Sequence, residues 1–144
     1  MEETVTTLSI GQVAETSGVK IPTIRYYEQI GLLPEPPRTA SNRRCYDAEA
    51  AQQLRFIRHA RELGFEVDAI RTLIEMQHHP MRSCEQADAI ATAQLAAIDS
   101  RIARLTALKE ELERMADCDR HGRVRDCRVI EILADHDQCL HDAH

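Results

Sequence analysis

The chain has 144 residues, 43% of them hydrophobic, and a formal net charge of −6. That length and composition suit a compact core and exclude a disordered chain, while the acidic balance excludes a simple basic nucleic-acid binder. The charge is uneven: residues 20–61 hold eight Lys or Arg against four Asp or Glu, which leaves +4 there and −10 on the remainder, so one end suits phosphate while the rest repels it.

Met1–Thr7 has neither a positive n-region nor an apolar h-region, and no apolar run approaches membrane-spanning length. The protein is therefore expected in the cytoplasm, with no membrane partner. Five cysteines, an odd number, then favour reduced thiols and metal or redox chemistry over a disulfide scaffold.

Ser9 and Gln12 form the S-x-x-Q pattern of a capping box, which predicts a short helix ending at Ser17-Gly18. Pro22 suits the first turn of a second helix that carries Thr23, Ile24, Arg25, Tyr26, Tyr27 and Glu28 and stops at Gly31. Two short helices about a Gly-containing turn make a helix-turn-helix. Arg25, Tyr26 and Tyr27 then cluster near the start of the second helix, where Arg forks onto phosphate or guanine and a Tyr hydroxyl donates to phosphate. One of the two tyrosines is expected in the core.

Pro34-Glu35-Pro36-Pro37 stops any helix. Arg38–Tyr46 reads as a hairpin turning at Ser41-Asn42, a wing that would lay Arg43 and Arg44 along a DNA backbone, with Cys45 a small apolar residue beneath. Asp47 caps the next helix, whose inner face is Leu54, Ile57 and Leu63 and whose outer face is Arg55, Arg58 and Arg61. Gly64-Phe65 breaks it, and a further helix carries Val67, Ile70, Leu73 and Ile74 before His78-His79-Pro80.

From Cys84 to Cys118 the chain reads as one long helix. Neither Gly nor Pro interrupts it, and Leu95, Ile98, Ile102, Leu105, Leu108, Leu112 and Met115 follow coiled-coil steps of three and four with a hitch near Leu108. At about 1.5 Å per residue it spans roughly 50 Å, so the two cysteines of one chain cannot meet. If the seam pairs antiparallel with a second copy, Cys84 of one chain arrives beside Cys118 of the other. The aromatics stop at Phe65, which places a globular head at residues 8–78, a dimerisation helix at 81–118, a loop and short helix at 118–134 and a polar tail at 135–144.

With these pieces in place the chain resembles the MerR family of metal-responsive transcription regulators. The resemblance rests on Leu8-Ser9-Ile10-Gly11, Thr23-Ile24-Arg25-Tyr26-Tyr27-Glu28, Gly31-Leu32-Leu33-Pro34, Arg43-Arg44-Cys45-Tyr46, Phe56–Arg61 and Leu63-Gly64-Phe65. Two departures are Cys45, where an aliphatic residue is more usual, and Glu66, where a Ser or Thr helix cap is usual. The resemblance implies a mainly α fold: a winged helix-turn-helix DNA-binding domain, a long antiparallel coiled-coil dimerisation helix and a short C-terminal metal-binding loop. It also implies a homodimer on a promoter palindrome that distorts double-stranded DNA for RNA polymerase when metal binds. On that carry-over Thr23, Arg25, Tyr26, Tyr27, Arg43, Arg44, Tyr46 and Arg58 contact DNA.

Cys84, Cys118 and Cys127 are the candidate metal ligands, with His121 a further nitrogen donor and His78 and His79 close upstream of Cys84. Cys118 and Cys127 flank an eight-residue loop that can fold back onto one ion. Thiolates select soft or borderline ions, so Zn, Cd, Hg and Pb fit while Mg and Ca do not. Family members that respond to divalent ions resemble this chain in having Cys at position 84, whereas copper(I) members carry Ser. A mixed sulfur and nitrogen set tilts the choice toward Zn. Competing readings are a thiol redox sensor of the same fold and a non-regulatory metal-binding protein. An enzyme is the least supported class, since no nucleophile–base signature, Gly-rich phosphate loop or H-E-x-x-H motif is present.

Overall fold

The computed structural model describes residues 7–117 and 122–135. The chain divides into two compact units, Met1–Ala87 and Asp88–His144. The first holds helices α1 (Ile10–Ser17), α2 (Ile21–Gln29), α3 (Ala48–Glu62) and α4 (Val67–Gln77). Helix α5 (Glu85–Ala116) runs from the end of the first unit into the second, where a 3-10 turn (Val124–Asp126) and α6 (Arg128–Ala134) follow.

Local chemistry sets these bounds. The Ser9 side chain accepts from the Gln12 amide while the Gln12 side chain accepts from the Ser9 amide, closing the capping box at α1. Gly18 ends α1 in the left-handed region at φ 73°, its N–H donating to Ala14 O at 2.9 Å. Pro22 lies in the first turn of α2, where a missing N–H costs nothing. Asp47 Oδ1 accepts from the Ala50 amide at 2.8 Å and opens α3. Helix α4 starts at Glu66 with no side-chain cap, as its residue type implies.

The core of the first unit is one cluster that joins Val13 of α1, Ile24 and Tyr27 of α2, Leu32 and Leu33 after it, Tyr46, Ala51, Leu54, Ile57 and Ala60 of α3, and Ile70 of α4. Removing each large aliphatic side chain from water contributes about 1.5–3 kcal/mol before conformational entropy is counted. Leu63 departs from its expected inward place. It is the residue where α3 ends, so the helical period no longer applies to it, and it is 56% exposed.

The wing is shorter than a full hairpin. Among the described residues no extended strand forms, and two isolated antiparallel bridges, Arg38↔Arg44 and Leu8↔Tyr46, hold the segment. Prolines 34, 36 and 37 contribute no N–H to a ladder, which leaves little length for strands. The turn is centred on Ala40-Ser41, one residue earlier than expected. The Asn42 N–H donates to Thr39 O at 2.9 Å, and Asn42 itself takes the left-handed position at φ 63°.

Helix α5 spans 32 residues, about 48 Å at 1.5 Å per residue. Its seam residues Leu95, Ile98, Ile102, Leu105 and Leu112 are 37–65% exposed, while Met115 is buried. In the second unit Ile132 of α6 is buried, while Ile130 and Leu133 face solvent. Among the described residues no helix is long and apolar enough to cross a membrane.

Candidate DNA-binding face and metal centre

The sequence of α2 presents its polar side chains at helical spacing, so burial sorts them by face. Ile24 and Tyr27 point into the core, Arg25 and Tyr26 are exposed, and Thr23 is half-buried. The Tyr26 and Tyr27 rings lie 6.0 Å apart, tilted by 48°. Tyr27 is thus the core tyrosine of the pair, although its edge reaches the surface. A shallow depression is lined by Gly18, Lys20, Thr23, Tyr27, Arg58, Arg61 and Glu62. It brings Thr23, Tyr27 and Arg58 together with two cations that the sequence reading left out of the DNA face, Lys20 and Arg61. Their positive charge in a basic stretch was the available signal, but only folding sets them beside Thr23.

Arg58 does more than present a charge. Its Nη1 donates to Ser17 O at 3.4 Å and its Nε pairs with Glu62 at 3.1 Å. A Cβ built on Gly18 would stand 2.1 Å from Arg58 Nη1. The α1–α2 turn and α3 therefore meet through a guanidinium that a side chain at position 18 would have to displace.

The wing arginines have different surroundings. Arg38 Nη1 donates to Asn42 O at 3.1 Å, inside the turn. Arg43 is exposed, and its backbone pairs with Thr39. Arg44 Nε lies 3.4 Å from Glu28 Oε2. Tyr46 does not match its expected place on the DNA face. It is 1% exposed, its hydroxyl donates to Glu28 Oε1, and its backbone pairs with Leu8. Burial, then the bond to Glu28 and that carboxylate's charge, push the Tyr46 hydroxyl well above the ordinary phenol range, against the smaller opposing effect of Arg44 and Arg25. It stays a protonated donor at physiological pH. The reading of Tyr46 as a DNA contact is replaced by one in which it anchors the wing. Cys45 is half-buried as expected, lining a cavity of about 450 Å³ with Leu33, Pro34, Pro37 and Ile74.

Of the candidate metal ligands, Cys84 is exposed immediately before α5, and Cys127 is half-buried immediately before α6. Both are thiols rather than disulfide halves. The Cys127 N–H donates to Val124 O and its carbonyl accepts from Glu131, both at 3.1 Å, so its backbone is fixed at the junction. Cys118 and His121 lie outside the described residues, as do the tail residues Cys139, His136, His141 and His144. Among the described residues of one chain, no three His, Cys, Asp or Glu side chains converge to hold an ion. The donor chemistry still fits a soft or borderline divalent ion, because the accessible donors are thiols that become thiolates on metallation.

Comparison with known proteins gives this arrangement a context. The MerR HTH family regulatory protein domain matches residues 8–77, and the MerR DNA-binding domain matches residues 51–115. The HTH-type transcriptional regulator HmrR of Sinorhizobium medicae (strain WSM419) is 38% identical over 88% of this chain and 86% of its own length. The HTH-type transcriptional regulator ZntR of Escherichia coli (strain K12) is 35% identical over 86% of this chain and 90% of its own. Among solved structures, the transcription regulator PbrR691 from Ralstonia metallidurans CH34, in complex with lead(II), is 32% identical. It superposes with a TM-score of 0.76 over 88% of this chain and 98% of that one. These relatives are transcription regulators and not enzymes.

Proposed function

Since the chain belongs to the MerR family and is a DNA-binding, metal-responsive transcription regulator of its heavy-metal type, we propose that it works as a homodimer on a promoter palindrome. There it activates a metal efflux or resistance gene when a divalent ion binds. The observation that carries this reading is the α5 stripe. Leu95, Ile98, Ile102, Leu105 and Leu112 lie along one helix and are exposed in a single chain, with Cys84 just before its first residue and Cys118 two residues beyond its last. A row of large apolar side chains on a helix surface is what a partner helix covers. Antiparallel pairing carries Cys84 of the partner subunit toward the loop that holds Cys118 and Cys127.

In this proposal the three thiolates, with His121 as a further donor, hold the ion, and Zn suits a mixed sulfur and nitrogen set while Cd, Pb and Hg suit the sulfurs. The ion supplies the cross-link between one chain's helix start and the other chain's loop. The chain's own contribution is to present Arg25, Tyr26 and Arg43, with the Thr23, Tyr27 and Arg58 depression, to two half-sites at a spacing that the dimer sets. Deforming a site of this size costs on the order of 1–6 kcal/mol. Reversing a 1:99 conformational balance takes a differential of about 5.5 kcal/mol. Thiolate–metal binding of about 10 kcal/mol or more is large enough to supply that differential, provided the complete ligand set forms only in the distorted promoter state that RNA polymerase uses. The cytoplasm, where thiols stay reduced, is the fitting compartment.

The test is a promoter reporter scanned across Zn, Cd, Hg, Pb, Co and Cu, with Cys84→Ser beside the wild type. Induction by one or more divalent ions in the wild type, lost in the variant while gel-shift affinity persists, is the expected result. Normal induction in Cys84→Ser would remove Cys84 from the site.

A further inference from the structure

The three wing arginines are not equivalent, and the difference assigns them separate duties. Arg38 is committed to the Asn42 carbonyl within its own turn. Arg44 faces inward to Glu28, whose side chain is 7% exposed against 28% for Arg44. Glu28 belongs to α2, and its two oxygens divide between two wing residues, Oε2 to Arg44 and Oε1 to the Tyr46 hydroxyl. Tyr46 in turn is pinned by backbone bonds to Leu8 in both directions, 2.6 and 2.8 Å. Only Arg43 among the three has a guanidinium with no partner among the described residues, and it is exposed.

We propose that Glu28, Arg44 and Tyr46 form a brace that fixes the wing to α2, so that Arg43, and not Arg44, meets a DNA phosphate and Arg44 is a positioning residue. This rests on the DNA-binding reading above and narrows it. The physics favours the division. A carboxylate sheltered from water and shared between a guanidinium and a phenol is costly to leave half-satisfied. Pulling Arg44 out to reach a phosphate would strand Glu28 next to DNA, with its charge uncompensated and repelling the backbone. Arg43 pays no such cost, since its charge is solvated and released to a phosphate with displacement of counterions. The brace also explains how a wing held by only two isolated bridges keeps a defined position.

The number of phosphates a side chain neutralises is read from the salt dependence of binding. The experiment measures the affinity of the full-length protein for a promoter duplex, selected for binding to the wild type, between 50 and 200 mM salt (both roughly set by the range where the slope is steep). Arg43→Ala is expected to flatten the slope of log K against log salt by about 1.8, one phosphate from each wing of a dimer. Arg44→Ala is expected to weaken binding roughly tenfold with the slope unchanged, because the loss lies in placement and not in ion release. Glu28→Gln keeps an acceptor for Tyr46 but removes the charge that holds Arg44, and it should also bind more weakly at unchanged slope. The proposal is overturned if Arg44→Ala flattens the slope as much as Arg43→Ala, or if Glu28→Gln binds more tightly with a steeper slope, as a released phosphate-seeking Arg44 would produce. Should Arg44→Ala fail to fold by circular dichroism, Glu28→Gln decides alone. If the wild type selects no duplex, the DNA-binding reading fails and not the brace.

Discussion

Gly18 occupies the left-handed region at φ 73° with the Arg58 guanidinium packed where a side chain would begin. A β-carbon there meets both a backbone penalty of about 1–2 kcal/mol and a displaced arginine. Gly18→Ala is therefore expected to lower stability by about that amount, read as a reduced urea midpoint at unchanged m-value. Tyr46 gives a prediction in pH. Its hydroxyl titrates at a higher pH in the folded chain than the ordinary phenol value of about 10. A group whose folded pKa is raised holds its contribution below the unfolded pKa and loses it as pH climbs toward the folded one. Stability should fall as pH rises above about 10, and Tyr46→Phe should flatten that part of the curve. An alkaline denaturation profile identical in the two proteins would remove the hydroxyl from the account. Residues whose environment is local were legible in the sequence: Ser9 with Gln12, Pro22 and Asp47 act within one turn of their own helices. Tyr46 was not, because its burial depends on Glu28, 18 positions earlier, and on Leu8 further still.

At the scale of elements, periodicity decided what could be read. Ile57 in α3 is fully buried at the spacing its helix demands, and Ile57→Ala is expected to cost about 2–5 kcal/mol by thermal or denaturant unfolding. Leu63 shows where the pattern stops informing, since the helix ends on it and its side chain turns to solvent. The wing shows a second limit. Turn residues announced a reversal, but the turn lies one residue earlier than its residue types suggested, and the three nearby prolines shorten the ladder, which comes down to two isolated bridges. The α5 stripe was legible from Leu95 to Leu112 because it rests on spacing alone, whereas Met115 at its end is buried within the chain; the helix bounds of Glu85–Ala116 fall just inside the two cysteines that frame it. Its proposed role makes Leu105→Glu a sharp probe. A charge in the middle of an apolar seam should turn a dimer into a monomer in sedimentation and abolish tight binding to a two-half-site duplex, with helix content largely retained.

At the scale of the whole molecule, charge and thiols are distributed rather than merely present. The +4 of residues 20–61 falls on α2, the wing and α3, and the −10 elsewhere disfavours any other approach to DNA. The metal centre was less legible than the DNA face. Residue type and position at the ends of α5 pointed to Cys84, Cys118 and Cys127, but the site proposed from them is shared between chains and has no geometry within one, and Cys118 and His121 lie outside the described residues.

Helix α5 carries its apolar stripe regardless of whether a DNA-reading head is attached. A fragment comprising residues 81–118 should therefore recruit intact copies into pairs that own one head instead of two. Such pairs would grip half a palindrome and lose most of their affinity for it. Co-expression of the fragment is expected to silence the reporter in proportion to its dose, and the Leu105→Glu version of the fragment should leave the reporter untouched. The same exposed row of leucines and isoleucines that is proposed to pair the regulator would thus be the means to poison it.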